Sequence, residues 1–108
     1  MKNDRLAQLL AFFEEDPSDS FTLYAIAIEY LKVDQSKSLK YFDQLLKQHP
    51  EYLPTYYHAA AAYSESGQRD IAEMIYKKGI SLAEKQGDQH ALSELKNAYT
   101  NFEMDDLI

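Results

Sequence analysis

Three histidines, two acidic clusters and nine tyrosines are the groups in this 108-residue sequence with the means to carry a reaction. A neutral imidazole nitrogen can take a proton or bind a metal near neutral pH. His49, His58 and His90 form neither an HExxH motif nor an i,i+4 pair, so no metal site is expected from them. His49 precedes Pro50 at a helix end and should cap or be solvated, and His90 falls in the first turn of the last helix and should be exposed. Glu14-Glu15-Asp16 and Asp105-Asp106 supply paired carboxylates. Acid–base work needs such a pair in an enclosed site that separates the two pKa values, and these lie at a helix end and in a tail. There is no GxGxxG or Walker loop, and 3 scattered glycines cannot cradle a phosphate. With no cysteine, disulfides and thiolate metal sites are excluded. Tyrosines at helical spacing are core and interface filler more often than a cofactor box. The expectation is a protein that is not an enzyme and holds no cofactor or metal.

The elements that carry these residues are helical almost throughout. Leu6, Leu9, Leu10 and Phe13 recur at i, i+3, i+4, i+7, a first helix with Asn3 or Asp4 as cap, broken at Asp16-Pro17-Ser18-Asp19. A second helix is expected over about Ser20 to Lys32, with Leu23, Ile26, Ala27 and Tyr30 inward. A third follows the Asp34-Gln35-Ser36 turn with Leu39, Phe42, Leu45 and Leu46 inward, and ends before Pro50. The fourth is expected over about Leu53 to Ser66 with stripe Tyr56, Ala59, Ala60 and Tyr63, and Gly67 as its stop. The fifth runs from about Arg69 to Lys85. The sixth starts at Asp88 with stripe Ala91, Leu95, Ala98, Tyr99 and Phe102, and frays from Glu103. Asp43/Lys47 and Glu73/Lys77 sit at i,i+4 on exposed faces. Helices joined by loops this short must pair antiparallel.

Charge narrows the partners. Residues 1–50 carry eight acids and six bases, and residues 51–108 carry ten and five, a total of −7. Gripping a phosphate backbone requires clustered bases, so nucleic acid and anionic membrane are not expected. The excess serves solubility or, more specifically, a preference for a basic partner. No signal peptide or run of about 18 apolar residues is visible, and the cytoplasm is the expected location.

Self-comparison exposes a repeat. Pro17 and Pro50 are 33 residues apart, and the same offset maps Leu23 onto Tyr56, Ile26 onto Ala59, Ala27 onto Ala60 and Tyr30 onto Tyr63. An offset of 34 then maps Ser38 onto Ala72, Phe42 onto Tyr76 and Leu46 onto Ile80. These positions resemble the tetratricopeptide repeat, W-x2-L-G-x2-Y followed by A-x3-F and a closing Pro. The Trp and Gly are absent from both copies, and Glu84 replaces the second closing Pro. The resemblance implies an all-α solenoid of antiparallel helix pairs, a right-handed superhelix of about six helices. It divides one domain into a cap (3–16), repeat 1 (20–52), repeat 2 (53–86), a second cap (88–104) and a tail (105–108).

Between Phe21 and Leu31 only Thr22 and Glu29 are polar, and a helix apolar on nearly every side needs burial on more than one. Its second stripe is Phe21, Tyr24, Ile28 and Leu31. The family resemblance implies that this face lines a concave groove for a peptide or partner helix, continued on the fourth helix by Pro54, Tyr57, Ala61 and Ser64 with His58 alongside. Tyr24, Ile28 and His58 stand where a chaperone-tail clamp of the family would place Lys and Asn, so that specificity is not expected. Covering four large side chains gives roughly 6–12 kcal/mol gross against an association cost of about 4–15 kcal/mol, which suits a transient adaptor. The expected function is a protein-interaction module, a monomer or weak homodimer. The alternatives are a structural protein that self-associates through this stripe, or a stripe covered by the first or sixth helix.

Overall fold

The chain is all-α in the computed structural model, which describes residues 4–105. The elements are α1 (Asp4–Glu15), α2 (Ser20–Tyr30), α3 (Gln35–Gln48), α4 (Pro54–Glu65), α5 (Arg69–Gln86) and α6 (Gln89–Asp105), with no strand among the described residues. They fall into two compact units, Met1–Thr55 and Tyr56–Ile108. Asn3 and the tail beyond Asp105 lie outside the described residues.

In the first unit the helix starts are set by aspartates. Asp19 accepts the backbone N–H of Thr22 at 2.8 Å and its hydroxyl at 2.7 Å, satisfying a donor that the first turn of α2 leaves open. These bonds, the hydroxyl's foremost, hold the Asp19 carboxyl below its ordinary 3.8. Asp34 caps α3 in the same way through Lys37 N–H at 3.2 Å. The four-residue link between α2 and α3 reverses the chain. Leu23, Ile26, Ala27, Phe42 and Leu45 are completely buried. Ser38 is buried too, and its hydroxyl donates to the Ala27 carbonyl of α2 at 2.7 Å. A small residue is required there, and the hydroxyl keeps its burial from costing an unmade hydrogen bond.

α1 packs on α2 around Leu9, Ala25 and Ile26, with Leu6, Leu10 and Phe13 at the margin. Phe13 meets Tyr41 edge-on at 5.8 Å, and Tyr41 stacks on Tyr30 at 5.7 Å. Tyr30, expected inward, is only half-buried, with one ring face covered by Tyr41. Glu29, the one acid inside α2, is buried and answered by Arg5 of α1 at 3.3 Å and Lys32 at 3.4 Å. His49 is the C-cap residue of α3, and its Nε2 lies 2.7 Å from the Ser18 carbonyl, joining two loops.

The second unit repeats the plan with different devices. Pro54, the penultimate residue of the first unit, opens α4, where its missing N–H costs nothing. Tyr56, Ala59, Ala60 and Tyr63 are buried as their spacing requires, and so are Ala72, Ile75 and Tyr76 of α5. Gly79 is a buried helical glycine whose absent Cβ makes room for both neighbours. A methyl there would lie 2.7 Å from Tyr56 Cβ and 3.3 Å from Leu95 Cδ1. α5 ends at Gly87, in the left-handed region at φ 72°, and Asp88 then accepts the Ala91 N–H at 3.0 Å to start α6.

α6 is longer than expected. It continues through Glu103 and Met104 to Asp105 instead of fraying. The Arg69 guanidinium donates to the Phe102 carbonyl at 2.9 Å and lies 4.0 Å over the Phe102 ring, so the last turn is tied to the start of α5. The ordered pairs Lys47–Asp43 and Lys77–Glu73 stand at 3.0 and 3.5 Å on exposed faces.

Candidate functional site

The expected binding residues fall on two helices, one in each unit. On α2 the packing of α1 falls on the Ala25, Ile26 and Glu29 side and leaves the second stripe outside. Phe21 is 56% exposed and Leu31 36%, while Tyr24 and Ile28 are half-buried. Tyr24 is partly covered by the edge of Tyr52 at 5.8 Å. Burial, then the neighbouring Tyr52, pushes the Tyr24 hydroxyl above its ordinary 10, so it stays a neutral donor at physiological pH.

On α4 the structure brings Tyr57, Ala61 and Ser64 to one wall of a cleft of about 290 Å3. The facing wall is α6, through Ala98, Asn101 and Phe102. Tyr76 of α5 also lines it, and Glu65 and Asp105 complete the lining. The rings are mutually ordered. Tyr76 stands 5.3 Å from Phe102 and 5.8 Å from Tyr99, and the Tyr99 hydroxyl is bonded to Glu73 at 3.0 Å. Desolvation and this carboxylate push Tyr99 to about 12. Burial, then Tyr57, raises Tyr76. Tyr76 therefore stays neutral at physiological pH, and among the described residues the charged groups of the lining are Glu65 and Asp105.

His58 is half-buried beside the Tyr57 ring, at 5.2 Å, and does not line the cleft. Burial pushes its imidazole below the ordinary 6.5, and Glu94 opposes this only in part. The folded chain thus favours neutral His58. Its contribution is complete above about pH 6.5 and is lost as pH falls through that value toward the folded pKa, because the unfolded chain binds more protons there. The melting temperature should fall between about pH 7.5 and about pH 5.5, and less so for His58→Gln. Equal falls for the two proteins would contradict this.

His90 is exposed, within 3.3 Å of Glu94. No cluster of three or more metal-ligating side chains occurs among the described residues. No helix among them is long and apolar enough to cross a membrane.

Of the cleft-lining residues of α6, Ala98 and Phe102 fall on the stripe expected inward, while Asn101 and Asp105 were hidden in the sequence. Ala98, Asn101 and Asp105 follow i, i+3, i+7, a stripe beside the buried Leu95 and Phe102. Its two polar members, Asn101 and Asp105, read as a solvated face until α4 is seen opposite.

No protein-family model and no curated protein matches the sequence. Solved structures do. A tetratricopeptide repeat domain protein from Salinibacter ruber is 40% identical in its crystal structure, covering 79% of this chain and 97% of that one with a TM-score of 0.75. The solution NMR structure of a tetratricopeptide repeat domain protein from Salinibacter ruber gives 42% identity over 82% and 90%, with a TM-score of 0.76. The crystal structure of MamA is similar in fold, at 18% identity over 97% of this chain and 70% of that one, TM-score 0.69.

Proposed function

The chain belongs to the tetratricopeptide-repeat family, and from that premise we propose that it is a non-catalytic adaptor that holds a peptide or helix of a partner protein against α4. A protein-interaction role in general accords with its structural relatives. The observation that carries the finer reading is the open cleft beside Tyr57. That ring is 41% exposed at a wall of small residues, Ala61 and Ser64, which let a partner backbone approach. Phe21, Tyr24, Ile28 and Leu31 of α2 form a second apolar contact face.

Affinity capture from the native host, read by mass spectrometry, tests this. Tyr57→Ala and Tyr24→Ala should each lose protein partners that the parent chain retains, with helical circular dichroism unchanged. Tyr57 is exposed and Tyr24 half-buried, so each loss is of contact area, about 1–3 kcal/mol of binding. Capture profiles identical to the parent's would overturn the proposal.

Self-association is the second reading. It is favoured by Phe12 on α1, 57% exposed, and by Ile71 and Met74 on α5, 38% and 50% exposed. A dimer that persists on dilution in light scattering would favour it. A monomer at every concentration would favour the adaptor.

A further inference from the structure

We propose that the α4–α6 cleft takes a basic segment of the partner, with a lysine or arginine side chain laid along its aromatic wall. This rests on the adaptor reading above and specifies its partner. Tyr57 offers exposed ring surface, backed by the buried rings of Tyr76 and Phe102, and among the described residues Glu65 and Asp105 are the charged members of the lining. An alkyl stem on rings with a cationic head near carboxylates satisfies both halves of a long basic side chain.

A second circumstance adds to the negative field. Glu65 is the final residue of α4, where the helix dipole already presents its negative end, and Asp105 lies in the last described turn of α6. Neither helix has a basic residue in its last turn. An acid at a helix C-terminus such as Glu65 is mildly destabilising by itself, and a bound cation relieves it. Arg69 is engaged on the Phe102 carbonyl and ring and does not line the cleft. Residues 51–108 carry ten acids against five bases, so the long-range field also favours a basic segment.

The probe is a randomised peptide library displayed on phage and selected on the whole chain. Synthetic copies of the selected peptides are then measured by fluorescence anisotropy. Lysine or arginine should be enriched in peptides whose binding is lost with Tyr57→Ala. The double variant Glu65→Gln/Asp105→Asn should weaken them roughly threefold to tenfold, and higher salt should do the same. Peptides that depend on Tyr57, lack basic residues and ignore the double variant would overturn this inference and leave the adaptor reading standing. Failure to select any peptide dependent on Tyr57 or Tyr24 would overturn both.

Discussion

Phe42→Ala is expected to cost about 3–5 kcal/mol, the range for a large aromatic removed from a packed core. Phe42 has no exposed surface, and neither have Leu23, Ile26 and Leu45 of the same unit. α2 and α3 are held to each other by the Ser38–Ala27 hydrogen bond at 2.7 Å and started by aspartate caps, which resists their collapse into the void. Phe42→Leu keeps most of the volume and should lose far less. Urea unfolding followed by circular dichroism checks both, and a loss below about 1 kcal/mol for Phe42→Ala would show that this core is not close-packed.

Gly79→Val is the second large effect, and its sign contradicts helix propensity. Replacing a mid-helix glycine normally stabilises by up to about 1 kcal/mol. Here the new Cβ meets Tyr56 Cβ at 2.7 Å, an atom fixed to the α4 backbone, and Leu95 of α6 stands 3.3 Å away. The Tyr56 atom cannot yield without moving a helix. Overpacking of this kind costs about 1–3 kcal/mol, so Gly79→Ala should be net destabilising and Gly79→Val more so, by about 3 kcal/mol. Lys78→Ala, one position away and exposed, is the control with little effect. A Gly79→Ala protein with a raised melting temperature would refute the close approach of α4 and α5.

These two positions show how unevenly the fold was written in the sequence. Phe42 lies on a clear apolar stripe, and the offsets linking Leu23 to Tyr56 and Ala27 to Ala60 named the buried positions of α2 and α4 directly. Gly79 carried no such signal, because an isolated glycine in a helix reads as a weak point until a neighbour is seen against it. The same limit applied to Glu29, whose burial depends on Arg5 from another helix. It applied also to the end of α6, where Arg69 holds a turn expected to fray. Periodicity reports which side of a helix is apolar. It does not report which other helix stands opposite, so Tyr57, Ala61 and Ser64 were legible as an open face while Asn101 and Asp105 across the cleft were not.

The most direct test of partner binding at this cleft is an amide NMR titration of the labelled chain with a peptide cut from a captured partner. The largest shifts are predicted at Tyr57, Ala61, Ser64, Ala98 and Asn101. Shifts confined to Phe12, Ile71 and Met74, with the cleft silent, would contradict the account.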